Sequence, residues 1–310
     1  METRKRIKKL LAPTNVLRIR NVKSNLKAAM HLVFDHGHKI KLNENIIIDH
    51  HIYSLKNKHV FFGYYDLQQV NCTQDKMLVH IVDTQADTKR DAAEIAWIDM
   101  NSHEYHKISQ TNAWCWQQGA RLRWHPKLSN AVIFNSLATN QYQTEIWDIE
   151  KGNKIRNLPI ALYDVDSNFK YGLSLNFSRL QRLRPGYGYN VLPDLTLGDP
   201  APSSDGVFLL DIEREKLKLL YSLSQLAASV NNTDVHHYIN HISISPSGKR
   251  FLFFHLWTRD NAHEWDMRLY VSDIDGNNLS CIEDEYVVSH YCWRDDNTLL
   301  ITTADGFRGM

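Results

Sequence analysis

The chain of 310 residues lacks several features that would place a protein in a class at once. No apolar run approaches the roughly 20 residues that a membrane helix needs. The net charge is only +1, so no overall field favours nucleic acid or a membrane surface. No Cys-x-x-Cys pair occurs, and we expect the four thiols to be reduced and mostly buried. They are Cys72, Cys115, Cys281 and Cys292.

The first part of the chain is the one strongly charged segment. METRKRIKKLLAPTNVLRIRNVKSNLK carries nine Lys or Arg against one Glu. It lacks the apolar core and small-residue cleavage site of a secretory signal, which favours a cytoplasmic protein. We therefore predict a basic arm over 1–45 and one folded domain over 46–310. A weak contact of the arm with an anionic lipid or polymer is the alternative to a plain solvated arm.

A repeated strand pattern fills the rest of the sequence. Alternating apolar residues, a polar turn and a second apolar run recur, each time followed by a strand that ends in acidic turn residues. Four strands per unit, at intervals of roughly 45–60 residues, are typical of β-propeller blades. The sequence predicts an all-β propeller with about six or seven blades if closed, incomplete at its C-terminal end. The predicted blades are 46–110, 111–160, 161–225 and 226–285, with another beginning at 286.

Ligands of propellers bind at one end of the central channel, so the residues that precede each innermost strand matter most. Here those segments are rich in His, Arg, Tyr, Trp and Gln, which suits an acidic carbohydrate: Arg clamps carboxylates, and amides hydrogen-bond hydroxyls. The candidates are Trp116, Gln117, Gln118, Arg179, Arg182, Arg184, Tyr187, Tyr189, His241 and His290.

His241 heads the alternating run HISIS, so its side chain is expected to share a face with Ser243 and Ser245. A structural histidine between blades is one interpretation. A general base or a metal ligand is the other, because a neutral imidazole suits both roles near pH 7.

The other histidines of this region are weaker candidates. His236 and His237 are predicted to be solvated loop residues, and His255 to pack at a blade edge. His290 and Cys292 stand at i and i+2 and would share one face of a strand, which could hold a metal.

The stretch RLQRLRPGYGYN combines three arginines with two tyrosines that glycines flank. A solvated basic surface with a tight turn is the simpler interpretation. The alternative is an anion-binding arginine beside a tyrosine acid. Uronate β-elimination requires a group that neutralises the carboxylate, a base for the C5 proton and a group that stabilises the leaving oxygen.

Several stretches together resemble the oligogalacturonate lyase group of polysaccharide-lyase propellers. They are HHYINHISISPSGKRFLFFHLW, RLYVSDIDGNNL and VVSHYCWRDDNTL, with WQQGARLRW and RLRPGYGY, inside a similarity that covers roughly 60–305. The resemblance implies a cytoplasmic propeller that cleaves short uronate oligomers by metal-assisted β-elimination.

The resemblance also implies roles for particular residues. His241 resembles the histidine near the scissile sugar, and His290 in SHYCW resembles a ligand of a divalent metal such as Mn²⁺. With His241 as base, we expect Tyr187 or Tyr189 to act as acid, and one of Arg179, Arg182 and Arg184 to bind the carboxylate. The other metal ligands of the lyases, a Gln and two His, come from a later blade, and this chain ends before such a segment. A propeller that binds a glycan or a protein without catalysis, or a plain scaffold, stays open.

Overall fold

The computed structural model describes residues 52–259 and 265–303, and also the backbone of 306–309. The strands form four antiparallel four-stranded sheets and an antiparallel three-stranded sheet. The first sheet contains β1 (Lys58–Phe61), β2 (Lys76–Asp83), β3 (Ala93–Asp99) and β4 (Tyr105–Thr111); the second contains β5 (Arg123–Trp124), β6 (Ala131–Leu137), β7 (Tyr142–Asp148) and β8 (Asn153–Leu158).

The third sheet contains β9 (Asp164–Val165), β10 (Tyr171–Ser174), β11 (Gly206–Asp211) and β12 (Lys216–Ser222); the fourth contains β13 (His236–Ile244), β14 (Arg250–Thr258), β15 (Trp265–Asp273) and β16 (Ser280–Glu283). The last sheet contains β17 (Val288–Asp295), β18 (Thr298–Thr303) and β19 (Gly306–Gly309). Two short helices accompany them, α1 (Phe177–Leu183) after β10 and α2 (Leu223–Ser229) after β12.

This arrangement confirms an all-β propeller of four-stranded antiparallel blades. Each of the four predicted blade segments holds one four-stranded sheet, to within one residue at the end of β4. The predicted six or seven blades are not found: the described residues contain four complete blades and the three-stranded sheet. The predicted basic arm over 1–45 lies outside the described residues.

The strand sequences explain where the core lies. In β14, RFLFFHLWT, the residues from Phe251 to Leu256 are buried without alternation, because neighbouring blades cover both faces of a central strand. Phe253 stacks between Phe251 and Tyr270, at ring-centroid distances of 5.8 and 5.3 Å. The apolar runs that mark the second strand of each hairpin in the sequence are therefore the centre of each blade.

The third blade differs from the sequence prediction. Within YGLSLNFSRLQRLRPGYGYN, Tyr171–Ser174 is the second strand of the sheet, and a helix rather than the next strand follows it. The Asn176 side chain caps this helix, α1, by accepting a hydrogen bond from the Arg179 backbone N–H. Arg179 and Arg182 lie on this helix, and Arg184 is its C-cap residue.

The cysteines also differ from expectation. Cys115 is buried, whereas Cys72, Cys281 and Cys292 are exposed, and all four are free thiols. The exposed ones belong to a turn, an outer strand and the outward face of β17, where blade packing does not reach. None of the helices in the described part of the chain is long and apolar enough to cross a membrane.

Candidate functional site

A cavity of about 330 Å³ lies where the beginning of β17 meets the middle of β13. Its walls are made by Tyr64, Gln117, Arg184, Tyr187, His241, Phe254, Leu256, Trp265, Met267, Val287, Val288, Ser289 and His290. The structure therefore brings together the candidate base, acid and carboxylate-binding residues, with one glutamine and the candidate metal ligand. The remaining walls are mostly aromatic and aliphatic, as in typical small-ligand sites.

Arg184 reaches the cavity from the C-terminal end of α1. Its guanidinium carbon lies 4.7 Å from the Tyr187 ring centre and 4.5 Å from that of Trp265, a double cation–π contact. Among the described residues, no carboxylate forms an ion pair with Arg184. A cation–π contact leaves the guanidinium its positive charge, so Arg184 can still attract an anion.

His241 forms part of the cavity wall from a distorted position in β13. It is 4% exposed, has a left-handed backbone with φ of +51°, and lies in a bulge between Asn240 and Ser243. Its ring stacks on Tyr64 at 5.3 Å and meets Phe254 edge-on at 5.0 Å. A left-handed non-glycine residue is uncommon, and such strain concentrates at functional sites.

The bulge changes the expected alternation, because two residues of β13 occupy the space of one at this point. The prediction that His241 shares a face with Ser243 and Ser245 assumed unbroken pairing, which the register shift interrupts. Burial lowers the pKa of His241 to about 3, with Asp66 opposing and Arg184 reinforcing the shift. The imidazole is therefore neutral at pH 7.

Five side chains form a closed ring of contacts: Asp66 between β1 and β2, Arg121 before β5, Tyr163 before β9, His241 in β13 and Tyr291 in β17. The Asp66 carboxylate accepts two hydrogen bonds from Arg121, at 2.9 and 3.1 Å, and the Arg121 guanidinium lies 4.0 Å from the Tyr163 ring centre. The Tyr163 hydroxyl is 3.4 Å from Nδ1 of His241. The His241 ring meets that of Tyr291, whose hydroxyl donates back to Asp66 at 3.4 Å. Of these five side chains, His241 is the one that lines the cavity.

The other two arginines of the cluster have structural partners. All five N–H groups of Arg179 donate to protein oxygens, including the carbonyl of His237 and the backbone and hydroxyl of Thr196. Arg182 donates from Nε to the buried carboxylate of Asp194 at 2.8 Å. Neither arginine lines the cavity, so neither belongs to the candidate site.

Three further candidates also lie apart from the cavity wall. Tyr189 is fully buried, stacks on Phe177 at 4.3 Å, and its hydroxyl accepts a hydrogen bond from Asn135. Trp116 is 43% exposed and does not line the cavity. Gln118 is 1% exposed and lies behind the wall.

The prediction for His236 and His237 is wrong, because both lie in β13 rather than in a solvated loop. His237 is fully buried, with Nδ1 2.9 Å from Nε2 of His255 and Nε2 2.6 Å from the carbonyl oxygen of Asn232. His255 is buried as well, so the two imidazoles pack within the blade.

The described residues do not fit a metal centre at His290. The imidazole is exposed, its Nδ1 lies 2.6 Å from the Ser289 hydroxyl, and its ring contacts Tyr65 at 5.1 Å. In the described ranges, no group of three or more His, Cys, Asp or Glu side chains is placed to hold an ion.

Sequence reasoning missed Arg121, Phe254, Trp265 and Met267. Arg121 stands in GARLRW, which reads as an ordinary alternating strand, and its left-handed φ of +53° has no sequence signal. The other three belong to central or third strands and form cavity walls because they lie beside the channel. Tandem aromatics in FLFFHLW are a partial signal for Phe254.

Comparisons with known proteins show the fold. No protein-family model matches the sequence, and no curated protein matches it. Two solved oligogalacturonate lyases are similar in fold. One, in complex with manganese, aligns with a TM-score of 0.51 and 9% sequence identity, and the alignment covers 81% of this chain and 66% of the lyase. The other, from Vibrio parahaemolyticus, aligns with a TM-score of 0.50 and 10% identity, covering 83% of this chain and 67% of the lyase. TolB from Acinetobacter baumannii aligns at 0.42 and 13% identity over 81% of this chain and 54% of its own.

The chain thus spans about two thirds of the length of the lyases that it matches. The resemblance to oligogalacturonate lyases is confirmed at the level of the fold, over about 80% of this chain. A shared fold does not establish a shared activity, so function has to be argued from the cavity.

Proposed function

We propose that the protein binds a short acidic oligosaccharide in this cavity, with a uronate carboxylate on Arg184. The observation that carries the proposal is the orientation of Arg184: two aromatic rings hold the guanidinium at the cavity without neutralising it. A carboxylate can accept two parallel hydrogen bonds from such a group, and these are stronger than neutral ones.

The rest of the cavity suits one end of a sugar chain. Tyr64, Tyr187 and Trp265 supply aromatic surface for the apolar face of a pyranose, and Gln117 supplies an amide for hydroxyls. The volume of about 330 Å³ is at the lower end of the range for small-ligand sites, which is roughly 300–1,000 Å³. A short oligomer therefore fits the cavity better than an extended polymer.

Binding is tested by isothermal titration of the protein with oligogalacturonates and with neutral oligosaccharides of equal length. We expect heat from the acidic oligomers and little from the neutral ones, and an affinity that weakens as salt rises, because a charge pair contributes. Equal affinity for both sets would contradict the role given to the carboxylate.

A second candidate function, cleavage by β-elimination, is favoured by His241 and Tyr187 lying at the same cavity as Arg184. Their rings meet edge-on at 5.9 Å. In this reaction His241 takes the C5 proton, the C4–O bond breaks as its electron pair leaves with the oxygen, the C4=C5 bond forms, and the Tyr187 hydroxyl protonates the leaving oxygen. Arg184 would neutralise the carboxylate that acidifies C5.

Binding is the better supported of the two functions, because a His241 imidazole with a pKa of about 3 is a weak base for proton transfer. A carboxylate on Arg184 would offset the positive charge that helps to depress this pKa. If the protein cleaves uronate oligomers, ultraviolet absorbance should rise as the conjugated double bond forms, with or without a chelator. The His241→Gln variant should show no such rise. No rise with the wild-type protein excludes cleavage and leaves the binding proposal to the titration.

A further inference from the structure

A second cavity, of about 430 Å³, lies beside the turn that joins β5 to β6. Its walls come from the segment between β1 and β2, from β5 and the turn after it, and from β9. It shares no wall residue with the cavity around Arg184. Its volume is within the range of small-ligand sites, which is roughly 300–1,000 Å³. The proposed binding of uronate does not use this second cavity.

The two carboxylates in the wall of the second cavity already have partners. Both oxygens of Asp66 accept hydrogen bonds from Arg121. Asp164 accepts from Arg123 on one oxygen and from a backbone N–H on the other. Each carboxylate is therefore neutralised by an arginine and has no oxygen without a donor, so this wall offers little to a cation.

Lys127 carries the uncompensated charge of this wall. It is exposed, and in the part of the chain that the structure describes no carboxylate pairs with it. Arg123, also in the wall, is only 7% exposed, and three of its five N–H groups donate to protein oxygens. Its other two N–H groups have no acceptor among the described residues. The cavity therefore combines an ammonium group with a buried guanidinium that has donors to spare.

His125 supplies a further donor, and its own turn determines which ring nitrogen carries the proton. The backbone N–H groups of Lys127 and Leu128 both donate to Nδ1 of His125, at 3.0 and 3.1 Å. A backbone N–H can only donate, so the proton of the neutral ring lies on Nε2. Burial lowers the pKa of His125 to about 4, so the ring is neutral at pH 7. None of the described residues accepts a hydrogen bond from this Nε2–H, which leaves it for a ligand.

We infer that the second cavity binds a phosphate group, free or as a monoester, with Lys127 as its counter-charge and His125 and Arg123 as further donors. A phosphate has at least three acceptor oxygens for separate donors, and lysine binds phosphate as a point charge. A carboxylate is better matched to an unshared guanidinium, whereas that of Arg123 is shared with Asp164. The two cavities therefore differ in the anion that they favour.

The test is ¹H–¹⁵N NMR of the full chain labelled with ¹⁵N-histidine, titrated with sodium phosphate while sodium chloride keeps the ionic strength constant. The His125 signals are assigned by their loss in His125→Gln. We expect the Nε2 signal of His125 to shift and to saturate. A parallel titration with glucose 6-phosphate distinguishes the two sources of the phosphate group, and saturation by either one supports the inference. Glucose and galacturonate at equal concentration should cause little shift.

Lys127→Gln removes the counter-charge from an exposed turn and is therefore expected to fold. Its affinity for phosphate should fall at least about tenfold, because hydrogen bonds to charged groups contribute more than neutral ones. Lys249→Gln is the matched control, since Lys249 is exposed in the corresponding turn between β13 and β14 and lies outside the second cavity. The control should bind phosphate like wild type.

Three results would overturn the inference. They are a His125 signal that drifts without saturation for both phosphate sources, equal affinity of Lys127→Gln and wild type, and a saturating shift of His241 in place of His125. The last of these would place the phosphate in the cavity around Arg184. Failure of the proposed function is separate, because phosphate binding here does not depend on uronate. Lys127→Gln should bind oligogalacturonate like wild type, and a loss of that binding would contradict the separation of the two sites.

Discussion

Arg179, Arg182 and Arg184 look equivalent in the sequence, yet α1 gives each a different role. Arg179 points into the blade and fills all its donors with protein oxygens, Arg182 pairs with Asp194, and Arg184 follows the last turn and reaches the cavity. The position of a side chain on one short helix therefore separates the ligand candidate from its structural neighbours.

The Arg121–Asp66 pair is buried and joined by two hydrogen bonds, so its loss should be damaging; the side chains are 1% and 8% exposed. Arg121→Leu would leave the Asp66 carboxylate without its cation, at a cost of about 3–5 kcal/mol in the free energy of unfolding. Urea denaturation measures this value. Arg121→Leu combined with Asp66→Leu should recover much of the loss, since no buried charge remains. A single variant within about 1 kcal/mol of wild type would show that the pair is not stabilising.

At the scale of elements, the short turn before β5 positions Gln117 and Gln118. Gly119 in this turn has a φ of +57°, and a Cβ added there would overlap the His80 imidazole. Gly152, in the turn between β7 and β8, has a similar φ of +64°, but no atom lies within 4 Å of an added Cβ.

This pair of glycines gives a matched prediction. Gly152→Ala should cost about 1 kcal/mol in stability from backbone strain alone, whereas Gly119→Ala should cost roughly 1–3 kcal/mol more from overpacking against His80. Chemical denaturation of both variants measures the difference. Equal losses would mean that His80 can move aside and that the turn is not tightly packed.

Strand periodicity predicted the blades well, because alternating apolar residues and turn chemistry are local properties. It failed at α1. Arg and Leu are good helix formers, and Asn176 before them caps the helix, but the strand pattern does not register either feature. It also failed at the bulge of β13, because a left-handed His241 is stabilised by its tertiary neighbours rather than by its sequence. His241, Tyr187 and Arg184 could be proposed from residue type, but their convergence on one cavity depends on how the third and fourth blades meet.

Across the whole molecule, several histidines are kept neutral by burial. Burial lowers the pKa of His80 to about 4 and that of His241 to about 3, against about 6.5 in an unfolded chain. At a pH between the folded and unfolded pKa values, these histidines are protonated in the unfolded chain but neutral in the folded protein. Stability is therefore greatest above about pH 6.5 and falls as the pH is lowered.

From about pH 7.5 to about pH 5, each such histidine should remove about 2 kcal/mol from the free energy of unfolding. Urea denaturation at the two pH values measures the loss. His241→Asn should reduce the difference between the two pH values by that amount, whatever its effect on stability at pH 7.5. An unaltered pH dependence in His241→Asn would show that His241 titrates normally.

The central claim concerns Arg184, and one measurement tests it most directly: calorimetric titration of a short oligogalacturonate into Arg184→Gln. Arg214→Gln is the matched control, because Arg214 pairs with Asp211 in an exposed turn and lies outside the cavity. Loss of a charge-assisted bidentate contact should weaken binding at least about tenfold, since such hydrogen bonds contribute about 1.5–3 kcal/mol. The control should bind like wild type. Equal affinity of Arg184→Gln and wild type, or no binding by wild type, would contradict the account.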